Sequence, residues 1–299
     1  MMLYSPILVI QNLVYQVQCC YFYNLHSSGN GGAISVVGSQ AGLNCEKSVF
    51  SQCTASGSFG AICFSEIVSE GIVRKSSFSL CDSSNDYAVG IIHCSKPIGE
   101  QISLEFCGYS CKNIVFELSS GSQQLSFSNS TDTYAEYHSG FHFSIPDDIE
   151  KAKYIHIANH RNCQFNFGFQ GPDSNGNSSY INMINNTASS ALIYLVDTTN
   201  HRLINYIFKK NTGTITAKDS RWPGTCTLIN CSFFENKFDN GDYVITRINV
   251  KFSTNPPSFL CYLHTELLCS TITHHCPTCI TITRSSMVPV LCILSLFAL

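Results

Sequence analysis

A strictly repeated spacing of aromatic residues is the feature that most constrains how this chain can fold. Four phenylalanines mark the repeat: Phe22, Phe50, Phe78 and Phe106. The interval between successive members is the same each time, and Cys53 recurs as Cys81 at that interval. Periods of about 20–50 residues are typical of solenoids, in which each unit buries its apolar face against the next. The repeat therefore predicts a stack of similar units.

The second half repeats with a shorter step. One evenly spaced series, with a spacing of 26, runs through Ile155, Ile181, Ile207 and Phe233. A second evenly spaced series runs through Asn186, Asn211 and Asn236, with a step shorter by one. Between the halves the register slips, which predicts an insertion near residues 128–153. Residues 141–153 read as a loop that leads into a short helix, with Asp147 and Asp148 as acids of its first turn.

The residue types of each unit favour strands and turns. Leucine is too scarce for a leucine-rich repeat, and the density of Gly, Ser and Asn opposes helix interiors. We predict an all-β fold, a right-handed parallel β-helix with about 25–28 residues per coil, in which equivalent side chains stack in columns about 4.8 Å apart. The predicted repeat core comprises Phe22, Ile34, Phe50, Ile62, Phe78, Phe106, Ile155, Ile181, Ile207 and Phe233.

The chain divides into four segments on this interpretation. Residues 1–11 form an N-terminal segment, residues 12–250 the β-helix, residues 251–286 a Cys/Thr-rich segment, and residues 287–299 a short apolar tail. The tail is shorter than the ~20 residues that a spanning helix needs. It could be a truncated membrane anchor, a lipid-anchor signal or the frayed end of the chain, so membrane association through it stays open.

Charge and cysteine content indicate a compartment and exclude one class of partner. Charged residues make up 12% of the chain and the net charge is −3, so no nucleic acid partner is expected. Seventeen cysteines are commoner where oxidation is permitted. Four Asn-x-Ser/Thr sequences are candidate glycosylation sites: Asn129, Asn177, Asn185 and Asn230. Together these features predict a cell-surface or extracellular protein.

Two tetrapeptides carry a resemblance to a known family. Gly-Gly-Ala-Ile occurs at residues 31–34, and Phe-x-x-Asn occurs at residues 208–211 and 233–236, with Cys in place of Asn at residues 53 and 81. The chain thus resembles polymorphic outer-membrane proteins and related protozoan surface β-helix proteins. The resemblance implies surface exposure and adhesion or antigenic display, with a host or cell-surface protein or glycan as partner.

Two cysteine clusters suggest chemistry, and each leaves alternatives open. His274, His275, Cys276 and Cys279 could form a zinc site or, with Cys261 and Cys269, disulfides in a stalk. Cys53 and Cys81 could form a disulfide across coils or a buried column of thiols. The series of Asn186, Asn211 and Asn236 could line a binding face, although an internal amide ladder is the simpler interpretation.

No arrangement of residues predicts a catalytic centre or a cofactor. Glycoside chemistry on a β-helix needs clustered carboxylates, and the one adjacent acid pair, Asp147 and Asp148, is interpreted as helical. The leading hypothesis is a non-catalytic, surface-displayed scaffold for adhesion or antigenic display. The alternatives are a carbohydrate-active enzyme, such as a polysaccharide lyase or glycosidase, and a fragment of a larger surface protein without its own function.

Overall fold

The computed structural model describes residues 2–3, 6–9, 14–38, 40–64, 70–145, 148–171, 176–196, 200–218, 225–238, 245–252 and 280–283. Within these ranges every regular element is a β-strand. Parallel strands stack into a β-solenoid of about eight turns. The predicted all-β parallel β-helix is thus confirmed as a stack of parallel strands.

Each coil contributes strands to two walls. The first wall contains Met2–Leu3, Val14–Gln18, Tyr21–Tyr23, Gly42–Glu46, Val49–Ser51, Glu70–Ser79, Ile98–Glu105, Ser122–Thr131, Asp148–Ala158, Asn177–Ile184, Asn200–Ile204, Ile207–Lys209, Thr225–Ile229, Ser232–Phe234, Ile245–Ile248, Lys251–Phe252 and Ile280–Thr283. The second wall contains Ile7–Val9, Ile34–Val36, Ile62–Phe64, Tyr87–His93, Ile114–Ser119, His138–Ser144, Cys163–Gln170, Ala188–Val196 and Thr216–Lys218.

Short strands close the coil between the two walls. They are His26–Ser27, Thr54–Ala55 and Asp82–Ser83 in the first half, and Thr212–Gly213 and Lys237–Phe238 in the second. Among the described strands the pairings are parallel, except that Ile280–Thr283 runs antiparallel to Val14–Gln18. Met2–Leu3 pairs with Tyr21 and Phe22, and Lys251–Phe252 pairs with Ser232 and Phe233, so the solenoid pairing extends beyond both predicted limits of the domain.

The core is built from columns of inward side chains that lie one coil apart. Phe22 pairs with Phe50 and Phe50 with Phe78, and the rings of each pair stack with centroids 4.6 Å apart. All three are fully buried. The column continues through Leu104, Ser130, Ile157, Met183, Phe208 and Phe233. Ile34, Ile62, Ile155 and Ile181 are also buried as predicted.

Two members of the predicted core do not lie in it. Phe106 is 39% exposed and has a left-handed φ of 50°, because the coil step shortens and Leu104 takes the place above Phe78. Ile207 pairs with Asn182 on the outer face, whereas Phe208 pairs with buried Met183. A shift of one residue moves a strand residue to the opposite face. The predicted spacing of 26 was therefore wrong at Ile207.

The predicted insertion with a short helix is also wrong. His138–Ser144 and Asp148–Ala158 are strands that continue the two walls. Ser128 pairs with Ile155 and Ile155 with Ile181, so Ile155 keeps the coil register on both sides, and the only extra residue among these pairs is a one-residue bulge between Ile149 and Lys151. The alternation around Ile155 specifies a strand, and it overrides the helix-start signal of the acids. Asp148 begins the strand, and Asp147 lies outside the described residues.

Candidate functional site: a recess on the second wall

Two polar residues on the outer face of the second wall are almost completely buried. Glu117 stands between the inward residues Phe116 and Leu118, so its side chain points outward. The next coil places His142 directly opposite Glu117. Glu117 is 4% and His142 is 2% exposed, and nearby His138 is 0% exposed. We call these three residues and the tyrosines around them the Glu117 recess.

The carboxylate fixes the orientation of one imidazole. His142 Nδ1 lies 3.4 Å from Glu117 Oε2, and a carboxylate only accepts hydrogen bonds, so Nδ1 is the donor. His138 stacks on His142 with ring centroids 4.3 Å apart. Three ring nitrogens have no partner: His142 Nε2 and both nitrogens of His138. Buried polar groups are rarely left in this state, which makes the recess the strongest candidate site.

Aromatic side chains surround the imidazoles. Tyr137 meets His138 edge to face at 4.6 Å, and Tyr194 and Phe165 lie 5.1 and 5.3 Å from it. Tyr137, Tyr194 and Tyr87 are each half-buried, and we call them the rim tyrosines; the ring of Tyr87 also stacks on Phe59 with centroids 4.7 Å apart. Burial raises the pKa of Tyr87, and the nearby carboxylate of Glu117 raises it further. The phenol therefore stays protonated.

A glycine makes room for the stacked imidazoles. A Cβ on Gly168 would clash with Cδ2 of His142 and would lie 2.7 Å from Cε1 of His138. Any other residue there would displace both rings. Burial, with a smaller contribution from His142, also holds the pKa of His138 well below its ordinary value. His138 is therefore neutral, with one N–H donor and one acceptor nitrogen.

A second polar feature, the corner column, lies inside the rod where the first wall ends. Its members are Leu25, Cys53, Cys81, Cys107, Thr133, His160, Asn186, Asn211 and Asn236. Asn211 Oδ1 accepts from the backbone N–H of Asn186 at 2.9 Å, and its Nδ2 donates to the Met183 carbonyl at 2.8 Å. Asn236 repeats both contacts toward Asn211 and Phe208. The internal amide ladder is confirmed.

His160 occupies the middle of the column and connects its two halves. Its Nε2 lies 2.8 Å from Thr133 Oγ1 and 3.1 Å from Ser130 Oγ, and its Nδ1 lies 2.9 Å from Ser139 Oγ. The side chain is fully buried. Every polar atom of the imidazole thus has a partner, in contrast to His138, so this network is structural.

Cys53 and Cys81 are separate thiols, so of the two alternatives left open by the sequence the structure has the buried column of thiols and not the disulfide. Both belong to a set of twelve cysteines in the described chain that form no disulfide, and eleven of the twelve are buried. The thiols of Cys53 and Cys81 each donate to a carbonyl of the coil below, at 3.6 Å. They act as small apolar side chains with a satisfied donor.

The candidate glycosylation sites differ in accessibility. Asn177 and Asn230 have exposed side chains. Asn185 is half-buried, and its amide donates to Asn159 Oδ1 at 2.8 Å. Asn129 is 8% exposed in the middle of a strand, so the folded rod has no room for a glycan there. The prediction fails at Asn129 and stays a prediction at the other three.

The candidate zinc residues His274, His275, Cys276 and Cys279 lie outside the described residues. In the part of the chain that the structure describes, no group of three His, Cys, Asp or Glu side chains could hold a metal ion. Over the same part, no helix is long and apolar enough to cross a membrane. No family model, curated protein or solved structure matches the chain.

The sequence interpretation missed Glu117, His138 and His142. The signal was present, since Glu117 and His142 are one coil length apart and each stands between two inward apolar residues. The predicted loop and helix at residues 141–153 leave His142 outside the coil register. His138 carried no signal, because only the packing of Tyr137, Phe165 and Tyr194 buries it.

Proposed function

We propose that this protein is a non-catalytic scaffold displayed at the cell surface, where it serves adhesion or antigenic display. The observation that carries the proposal is that unpartnered polar groups lie on the outer face of the second wall, apart from the packed core. The interior is mainly apolar and its polar corner column is hydrogen-bonded internally, while the Glu117 recess has unpartnered polar groups on the outer face of a wall. A rigid wall that presents recessed polar and aromatic groups suits recognition of a partner.

Two further features support display outside the cell. The acceptor sequences at Asn177 and Asn230 have exposed side chains, as glycosylation requires. The tetrapeptides at residues 31–34, 208–211 and 233–236 resemble those of surface β-helix proteins. A host or cell-surface protein or a glycan is the proposed class of partner.

The location is tested by labelling intact native cells with an impermeant reagent and an antibody against the rod. The proposal expects labelling without permeabilisation and a mass increase at Asn177 or Asn230 that a glycosidase removes. A protein that is found only in the cytosol, with no glycan, contradicts it. An intracellular marker protein in the same cells serves as the control for cell integrity.

A carbohydrate-active enzyme is the second candidate, and one observation favours it. The Glu117 carboxylate orients His142 through Nδ1 and leaves Nε2 unpartnered, which is the arrangement that prepares an imidazole as a general base. Incubation of the purified chain with a panel of polysaccharides decides between the two. New reducing or unsaturated ends that disappear in Glu117→Gln establish the enzyme, and their absence agrees with the scaffold.

A further inference from the structure

The three unpartnered nitrogens of the Glu117 recess define what a ligand must supply. Because Nδ1 of His142 donates to Glu117, Nε2 of His142 is the atom that faces a ligand: it accepts from a neutral ring and donates from a protonated one. Neutral His138 has one acceptor and one donor. A ligand that satisfies the recess therefore brings both hydrogen-bond donors and acceptors to the two stacked rings.

Charge decides among the ligands that meet this requirement. An anion would face the Glu117 carboxylate, so anionic ligands are disfavoured. An ammonium group has hydrogen-bond donors but no acceptor, so it would leave the N–H of His138 without an acceptor. Hydroxyl groups are donors and acceptors at once. Neighbouring hydroxyls on a neutral ligand thus match all three nitrogens.

The rim tyrosines supply the apolar part of the recognition, beside the polar nitrogens of the two imidazoles. Tyr137 and Tyr194 pack on His138 and are half-buried, so part of each side chain is exposed beside the buried imidazoles. Aromatic rings offer flat apolar surface beside a polar group. A pyranose has the complementary form, with a flat face of C–H groups and hydroxyls at its edge.

We propose that the Glu117 recess binds one sugar ring of a neutral glycan. Its hydroxyls meet the unpartnered nitrogens of His138 and His142, and its C–H face packs on a rim tyrosine. The inference rests on the proposed function and names its partner class. Since His138 is fully covered, the ligand must part the rings of Tyr137 and Tyr194, whose centroids are 5.8 Å apart.

The experiment measures glycan binding by the purified full chain. An array of neutral glycans and of glycans that carry sialic or uronic acid is screened, and the best neutral oligosaccharide is then titrated by calorimetry. His138→Phe keeps a ring in the aromatic box but removes both nitrogens. We expect binding at least about tenfold weaker, the effect of losing one or two hydrogen bonds.

Thermal melting separates this role from a structural one. His138→Phe should melt at the same or a higher temperature, because it removes two buried nitrogens that have no partner. His201→Phe, the same change inside the rod, is the control and should keep wild-type affinity. Tyr194→Leu removes a half-exposed rim ring and provides a second variant if His138→Phe does not fold; we expect about tenfold weaker binding here too.

Three results would overturn the inference: no neutral glycan bound at millimolar concentration, preference for acidic glycans or for an ammonium ligand such as choline, or wild-type affinity in both His138→Phe and Tyr194→Leu. Surface labelling of intact cells is independent of all three. The scaffold proposal can therefore stand when the sugar inference fails, and the reverse also holds.

Discussion

Two fully buried histidines, His160 and His201, couple the stability of the rod to pH. His201 packs on Phe169 with centroids 4.2 Å apart, and its Nε2 lies 3.0 Å from Ser178 Oγ. Burial lowers the pKa of each histidine from 6.5 to about 3. Both are neutral in the folded state, whereas the unfolded chain binds protons below its ordinary pKa.

The sign of the pH dependence follows from these values. The stabilisation is fully present above the unfolded pKa of about 6.5 and is lost as pH falls toward about 3. At pH 5 each of these histidines should lower the free energy of unfolding by about 2 kcal/mol, relative to its value at a pH above 6.5. In urea denaturation, the decrease in the free energy of unfolding between pH 7 and pH 5 should be about 2 kcal/mol smaller for His201→Phe than for the wild type. A variant with the wild-type pH dependence would show that His201 is not buried in its neutral form.

The asparagine ladder shows how one element stabilises a corner of the coil. Asn211 Oδ1 accepts a hydrogen bond from the backbone N–H of Asn186 in the coil below. Its Nδ2 donates to the carbonyl of Met183 and, at 3.0 Å, to Asn236 Oδ1 in the coil above. Buried main-chain groups at a corner lie beyond the strand-to-strand hydrogen bonds of the walls, so a side-chain amide is their hydrogen-bond partner. The equal spacing of the asparagines was enough to predict the ladder from the sequence.

Asn211→Leu should destabilise the rod by about 2–4 kcal/mol. The change keeps the volume but leaves buried groups on the neighbouring coils without a partner, at about 1–3 kcal/mol each. The neighbouring exposed residue offers a control, since Thr212→Ala should change the free energy by less than about 0.5 kcal/mol. Chemical denaturation measures both, and equal effects of the two substitutions would refute the internal ladder.

The strand Ile207–Lys209 tests the register that the sequence interpretation missed. Phe208 is fully buried and stacks on Phe233 at 4.7 Å, while Ile207 is half-buried on the outer face. Phe208→Ala should cost about 3–5 kcal/mol. Ile207→Ser should cost about 1 kcal/mol or less. The reverse ranking in denaturant titrations would restore the spacing of 26 and contradict the observed pairing.

Over the whole molecule, the sequence predicted the architecture better than the site. Equal spacing in the first half fixes the coil, because stacking requires equivalent residues to recur at the coil length. Phe106 failed because the coil contracts there, and spacing alone does not reveal which residue takes the left-handed corner. The recess depends on contacts between residues of several coils, from Tyr87 to Tyr194, and such contacts leave only a faint pattern in the sequence.

The stacking of side chains one coil apart supports every other conclusion, and a double-mutant cycle tests it most directly. Phe50 and Phe78 are substituted by Leu singly and together, and unfolding free energies are compared. Stacked rings at 4.6 Å should couple by about 0.5–1.5 kcal/mol. Phe22 and Phe78, which are two coils apart, should be additive within about 0.5 kcal/mol. Additive effects of Phe50 and Phe78 would contradict the stack.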